Sequence, residues 1–315
     1  MADSSPVTGS RSDLVLDTSR CLRMRFSESG CRRCASICQH GAVALEAGLS
    51  VDERKCRGCL LCTAVCPAGA LEANDDFSAS LARISGLSEA VLGCIRTREQ
   101  SNATVACLGA LSEEHLLALC HSTAGSLTLN LSLCGDCPNH AVTAELKHRL
   151  DAISVAGLTC GSCRVEFAES GQAIRYRDES VDRRSFFKSF GKALFKSADM
   201  VLSGTGEDSE RHTGYAEKRL PYRRMLLDST RKELSRELLV ISQHHFDTNV
   251  LISDACTMCQ GCVAICPTGA MMTGDSDLPP IFDQSLCTGC GLCCEFCMDG
   301  ALTIQNINHD LDTER

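Results

Sequence analysis

Two runs of cysteine at fixed spacing constrain this chain more than any other feature. They are Cys256-Thr-Met-Cys259-Gln-Gly-Cys262-Val-Ala-Ile-Cys266-Pro267 and Cys287-Thr-Gly-Cys290-Gly-Leu-Cys293-Cys294-Glu-Phe-Cys297. Three thiolates at two-residue spacing wrap one corner of a cuboidal iron–sulfur cluster, and a fourth, three residues further on, reaches the other cluster of a pair. The two runs therefore predict one [4Fe–4S] cluster on Cys256, Cys259, Cys262 and Cys297, and a second on Cys266, Cys287, Cys290 and Cys293. Neither chance thiols nor a disulfide framework produces two interlocking copies of one spacing.

Over about sixty residues this arrangement resembles the bacterial 2[4Fe–4S] ferredoxins. A second copy of it stands near the N-terminus, with Cys56, Cys59, Cys62 and Cys66-Pro67 as a full run and Cys31, Cys34 and Cys38 as a partial one. The first ligand of the partial run is found by comparing what precedes each motif. Leu49-Ser-Val51-Asp52 and Pro280-Ile-Phe282-Asp283 place an Asp four residues before Cys56 and Cys287, and Leu14-Val-Leu16-Asp17 does the same for Cys21. Seven extra residues then separate Cys21 from Cys31. Each final cysteine is followed by Gly-Ala: Gly41-Ala42, Gly69-Ala70, Gly269-Ala270 and Gly300-Ala301. Glycine there takes positive φ, and the small Ala lets the backbone pass close to a cluster. Four half-units follow, two at each end of the chain. The expected third and fourth clusters are held by Cys21, Cys31, Cys34 and Cys66, and by Cys38, Cys56, Cys59 and Cys62. The long Cys21–Cys31 gap leaves a three-iron cluster open as the alternative at the first of these. Cys38 and Cys297 lack the proline that follows Cys66 and Cys266.

Between the modules the pattern changes. Ala90–Cys94, Ala103–Cys107 and Leu127–Cys134 read as short buried strands ending in cysteine, with Ile153–Cys160 as a candidate fourth. A capped helix is expected after Ser112, with acids in its first turn, and another over Pro138–Leu150. Alternating strands and helices imply a parallel sheet, and ligands collect at the carboxyl ends of its strands. Cys94, Cys107, Cys134 and Cys137 are expected at that edge, where they could hold a further [2Fe–2S] or [4Fe–4S] cluster, or zinc. Val-Ala-Cys107-Leu-Gly and Cys134-Gly-Asp-Cys137 resemble the delta iron–sulfur subunit of methyl-viologen-reducing hydrogenases. That resemblance implies a [2Fe–2S] cluster here, in a protein that wires hydrogenase to heterodisulfide reductase. Cys160-Gly-Ser-Cys163 has no place in either set; with Cys134 and Cys137 it would complete a zinc spacing. Cys120 reads as a packed thiol and Cys294 as out of register, while His40, His121, His140, His244 and His245 read as surface or loop residues.

The expected fold class is α+β: two bacterial-ferredoxin-like dicluster modules flank a small α/β, parallel-sheet domain, with a helical linker. The expected divisions are a flexible tail over 1–12, modules over 13–78 and 246–308, the α/β domain over 85–170 and a basic helical linker over 171–245. Residues 164–245 carry sixteen of the thirty-one Lys and Arg residues. There Asp182-Arg-Arg-Ser-Phe-Phe-Lys188 is similar to a twin-arginine export motif, but Lys192 and Lys196 interrupt the apolar run export requires. Phe186, Phe187, Phe190, Leu194 and Phe195 instead recur at helical spacing, giving an amphipathic helix suited to its own domains, an acidic partner or peripheral membrane contact. Gly204-Thr-Gly206 reads as a loop, and Leu226, Leu227, Leu234, Leu238, Leu239 and Ile241 as a second helix.

Twenty-four cysteines in 315 residues would suit a disulfide scaffold only in a small secreted protein. Clustered C-x-x-C spacing, with no export leader to be read at the N-terminus, predicts metal binding in a reducing, cytoplasmic compartment. No apolar run is long enough to cross a bilayer. A formal net charge of −9, deepened by thiolate-bound clusters, argues against nucleic acid and for redox protein partners with basic docking patches. No Rossmann fingerprint, P-loop or nucleophile–base constellation is present, so catalysis of its own is not expected. The competing readings are a redox enzyme subunit acting on a disulfide or small substrate at the central cysteines, and a zinc-stapled scaffold there.

Overall fold

Every cysteine run stands between short strands, and those strands pair in the same way at both ends of the chain. Near the N-terminus Leu14–Leu16 pairs antiparallel with Leu71–Ala73, and Val43–Ala44 with Ser50–Val51. Near the C-terminus Thr248–Ile252 pairs antiparallel with Leu302–Asn306, and Met271–Met272 with Ile281–Phe282. Each module thus has an outer pair that closes it and an inner pair that joins its two half-units. The computed structural model describes residues 12–159, 163–170, 174, 215–274 and 278–306. These fall into two compact units, the first drawn from Met1–Asn74, Thr213–Met225 and Ser235–Arg315, the second from Asp75–His212 and Leu226–Leu234. Both cysteine-rich modules lie in the first unit.

Within the first unit, the Gly-Ala signature explains how each run turns into a strand. Gly41, Gly69, Gly269 and Gly300 all take positive φ, between 55° and 80°, which a side chain would strain. The Ala that follows then accepts a backbone hydrogen bond from a residue that leads into a cysteine run, the next one for Ala42 and Ala270 and the module's first for Ala70 and Ala301. Asp17 N–H reaches the Ala70 carbonyl at 2.9 Å, Asp52 that of Ala42 at 2.8 Å, and Asp283 that of Ala270 at 2.8 Å. The fourth such donor is Ser253, to Ala301 at 2.9 Å. It stands three residues before Cys256 rather than four, so the Asp signature does not reveal it. The three Asp side chains turn back to accept from the backbone two residues on: Ser19, Arg54 and Ser285. Each carboxylate thereby fixes the turn that delivers a first cysteine.

The second unit is built on a four-stranded sheet in the order Ala103–Val105, Glu89–Cys94, Ser126–Asn130, Arg164–Ala168, all parallel. Its core is leucine-rich, with Leu92, Leu116, Leu117, Leu119, Leu127 and Leu129 fully buried. The helix Glu113–Ser122 starts where Ser112 and His115 cap one another, and Glu113 and Glu114 occupy its positive end. The helix Val142–Val155 buries Val142, Leu146, Leu150 and Ile153, a stripe at helical spacing. Ile153–Cys160 is therefore not a fourth strand. Ile153 completes that stripe, the chain turns at Gly157 with φ 78°, and the fourth strand is Arg164–Ala168. The residues read as one helix divide: Leu226 and Leu227 fall on Tyr222–Arg231, and Leu238, Leu239 and Ile241 on Arg236–Phe246, with Leu234 in the bend between, because the Ser235 side chain caps a new start by accepting from Leu238 N–H at 3.3 Å. The N-terminal tail up to residue 11, Cys160, the Phe186–Phe195 helix and the Gly204–Gly206 loop lie outside the described residues. Among the described residues, no helix is long and apolar enough to cross a membrane. The molecule is a mixed helix-and-strand protein with a parallel sheet in the middle and ferredoxin-like modules at both ends.

Candidate metal centres

The N-terminal module encloses two cavities, each lined by four cysteines. Cys21, Cys31, Cys34 and Cys66 line one of about 340 Å³, closed by Leu22, Leu45, Leu49, Ala68 and Leu71. Cys38, Cys56, Cys59 and Cys62 line the other, of about 410 Å³, with Val43, Val51 and Leu60. Both volumes include space open to solvent. Cys66 thus lines a cavity with the cysteines of the first half-unit, and Cys38 with those of the second. Cys21 lines its cavity despite the long gap, because the inserted residues fold into a short helical turn, Leu22–Arg25, and return the chain to Cys31. His40, read as a surface residue, lines the Cys38 cavity and is half-buried.

The donor set suits iron–sulfur clusters on three counts. Soft thiolates surround each cavity, apolar walls limit water, and backbone N–H groups point at sulfur. Ala42 N–H donates to Cys38 Sγ at 3.3 Å, Ala70 N–H to Cys66 Sγ at 3.2 Å, and Ala301 N–H to Cys297 Sγ at 3.4 Å. The alanine of the Gly-Ala signature thus has a role its size alone does not suggest. Gly289 N–H adds a contact to Cys287 Sγ at 3.4 Å. Burial, with the neighbouring thiols, pushes Cys34 up to about 12 and raises Cys21, Cys59 and Cys62 as well. Four thiolates around one space need positive charge between them to stay ionised, and iron would supply it. Among the described residues, no three His, Cys, Asp or Glu side chains converge on a point that would hold a single ion. Thiols spread around a void suit a cube better than a lone cation.

In the C-terminal module the thiols also lie within one another's fields. Cys266 acts electrostatically on Cys287 and Cys290, and Cys256 and Cys259 on Cys262, which burial lifts to about 11. Cys297 packs against the buried core that contains Cys262, Cys266 and Cys287. Cys293 lies in the field of Cys290 and Cys287, and its thiol hydrogen-bonds Cys294. Cys294 itself receives the backbone N–H of Ile304, away from the run. The loop geometry is shared: the second residue after the first cysteine has positive φ at Gly58, Met258 and Gly289, and the fourth at Leu60, Gln260 and Gly291.

In the second unit Cys94 ends a strand, Cys107 follows the end of its neighbour, and Cys134 and Cys137 follow the end of the strand on the other side. All four lie at the carboxyl edge of the sheet, beside the point where strand order reverses. Burial raises Cys134, and Cys94 and Cys137 act on it. Cys163 lies elsewhere. It precedes Arg164–Ala168, at the amino edge of the same parallel sheet, where the Cys120 thiol hydrogen-bonds it and lowers its pKa. A five-residue strand separates the two edges by about 17 Å, so Cys163 cannot complete a zinc site with Cys134 and Cys137. Cys120 is buried as expected and has Cys163 as its neighbour. His121 Nε2 meets the Leu158 carbonyl at 3.1 Å, His140 is exposed, and the His245 ring stacks edge-on with Phe246.

Basic residues of the linker were not singled out by any motif, yet they sit against the crossing cysteines. Lys218 Nζ donates to the carbonyls of Val263, Ala264 and Cys266 at 3.2, 2.6 and 2.7 Å. Arg223 Nη2 donates to the Cys66 carbonyl at 3.2 Å. Only the local basic charge hinted at this, and it did not say which carbonyls would be met.

Comparison with known families agrees with this geometry at both ends. Residues 246–302 match the 4Fe-4S dicluster domain. Residues 49–72 match the 4Fe-4S binding domain. The two matches support an iron–sulfur electron-transfer protein. Neither reaches the middle of the chain, and nothing found supports the likeness of that region to the hydrogenase delta subunit. No curated protein matches the chain.

Proposed function

We propose that the chain is a multicluster electron carrier holding four [4Fe–4S] clusters, two in each terminal module. Their ligands would be Cys21, Cys31, Cys34 and Cys66; Cys38, Cys56, Cys59 and Cys62; Cys256, Cys259, Cys262 and Cys297; and Cys266, Cys287, Cys290 and Cys293. The clusters would supply one-electron redox chemistry, in which no bond is made or broken. The chain's own part is to hold the thiolates, to exclude water with Leu45, Leu49 and Leu71, and to tune potential with the N–H groups of Ala42, Ala70, Ala301 and Gly289. The observation that carries this reading is the pair of cavities in the N-terminal module, each lined by a crosswise set of four cysteines. Donor and acceptor would be redox proteins with basic docking faces, given the net charge of −9.

A further cluster on Cys94, Cys134 and Cys137, with Cys107, is the second reading, favoured by the electrostatic contact among the first three at the carboxyl edge of the sheet. Iron and acid-labile sulfide analysis with EPR on anaerobically purified protein tests both. About sixteen irons per chain are expected from the terminal modules alone, and a higher count would load the centre. A count near zero, or failure to pass electrons from a low-potential one-electron donor to any acceptor, overturns the proposal.

A further inference from the structure

The residues inserted between Cys21 and Cys31 break the regular cysteine spacing, and the first unit shows where they go. Leu22 is buried in a small core with Ala68 of its own module and Leu292 of the C-terminal module. Phe26 packs on the same core, and its ring meets Phe296 edge-on at 5.3 Å between centroids, 78° apart. Arg25 Nη1 donates to the Ile265 carbonyl at 3.4 Å, and its guanidinium lies over the Tyr215 ring at 5.7 Å. The insert therefore contacts the C-terminal module through an apolar core, an aromatic pair and a charge-assisted hydrogen bond.

What this core brings together is specific. Cys31, from the tetrad of Cys21, Cys31, Cys34 and Cys66, packs against it on one side, and Cys290, from the tetrad of Cys266, Cys287, Cys290 and Cys293, on the other. Arg33, the residue before Cys34, acts electrostatically on Cys290. A second element ties the same two tetrads. Within six residues the linker donates from Lys218 to the Cys266 carbonyl and from Arg223 to the Cys66 carbonyl. Exposure leans the same way. Of the two inner sets, Cys21, Cys34, Cys66, Cys266 and Cys287 are buried and Cys31, Cys290 and Cys293 half-buried, whereas of the two outer sets only Cys262 is buried and Cys259 is exposed.

Resting on the proposed four-cluster reading, we propose that the Leu22–Gly30 insert is an inter-module joint: it seats the Cys21 tetrad against the Cys266 tetrad, so that the two modules form one continuous electron path. The Cys38 and Cys256 tetrads are then the outer ends, where protein donors and acceptors exchange electrons, and the inner tetrads only relay. One electron enters from a low-potential one-electron reductant at one end and leaves to a one-electron oxidant at the other.

The test deletes Met24–Gly30 from the full chain, which leaves Cys21-Leu22-Arg23-Cys31 and so restores the regular two-residue spacing while removing the joint. Iron and sulfide content, EPR of the dithionite-reduced protein and small-angle scattering are compared with the intact chain. The expected result is unchanged iron, loss of the spin–spin broadening that arises between modules, and a larger radius of gyration. Coupling within each module persists in both proteins, so the difference isolates the joint. Unchanged iron with unchanged broadening and radius overturns the inference and leaves the electron-carrier reading standing. Absence of iron from the intact chain overturns that reading instead. If the deletion variant fails to load iron, Phe26→Asp, which leaves the loop intact, decides by the same three measurements.

Discussion

The two units of this chain reach a folded state by different means. The second unit is held by leucine: Leu92, Leu108, Leu111, Leu116, Leu117, Leu119, Leu127, Leu129, Leu131, Leu146 and Leu158 are fully buried there, against Leu61, Leu71 and Leu292 among the described residues of the first. Its backbone is relaxed, and among the described residues its positive-φ positions, Gly86 and Gly157, are all glycine. The first unit has strands of two to five residues, and it bends Leu60, Met258 and Gln260 through the left-handed region. Its small interior is lined by thiols whose pKa is raised by burial and then by one another. The difference teaches where stability originates. One unit is stabilised by burial; in the other, on the proposed reading, cluster binding by the cysteines would offset the strain in its loops.

Removing iron should therefore separate the units, and this is the largest effect expected. Anaerobic chelation of the full chain is expected to unfold the first unit and open residues 12–74 and 235–306 to protease, while residues 75–159 stay resistant. Fragment mapping by mass spectrometry checks this, and equal digestion of both units would abolish the contrast. The converse change is smaller. Leu127 is fully buried in a central strand of the parallel sheet. Leu127→Ala should cost the second unit about 2–5 kcal/mol through lost burial and the cavity left behind. Iron bound by the terminal modules should stay constant, as measured by denaturant unfolding beside iron analysis of the same sample.

The same contrast explains what could be read from the amino-acid order. Which cysteines line each N-terminal cavity was legible from a repeated spacing, and the Asp shared by the runs pointed to Cys21 where spacing alone could not. Gly41, Gly69, Gly269 and Gly300 were legible because a positive φ selects glycine. The parallel sheet was legible from its buried strands, but its last strand was not. Ile153–Cys160 carries the apolar residues of a strand, yet Ile153 also completes a helical stripe, and burial on the preceding helix prevailed. Arg164–Ala168 alternates charged and apolar residues, with Arg164 and Glu166 exposed, and so carries too little apolar signal to mark a strand. The contacts of Lys218 and Arg223 with the carbonyls of Cys266 and Cys66 were illegible, since they join segments 48 and 157 residues apart and depend on no local pattern. Ser253 was hidden by a one-residue change of offset.

The smallest effect tests the strain itself. Two residues after the first cysteine, φ is 65° at Gly58, 61° at Gly289 and 58° at Met258. An L-residue in the left-handed region costs roughly 1–2 kcal/mol, and glycine costs about 0.5–1 kcal/mol more than alanine in chain entropy. The first term exceeds the second, and Met258 is 40% exposed, so little burial is lost on removing its side chain. Met258→Gly should then stabilise the C-terminal module by about 0.5 kcal/mol, slowing the loss of visible cluster absorbance in denaturant by roughly twofold. Gly58→Met should speed that loss in the N-terminal module by a similar factor. If Met258→Gly bleaches faster instead, the left-handed turn is held by methionine packing, and the first unit owes more to burial than its thiol-lined interior indicates.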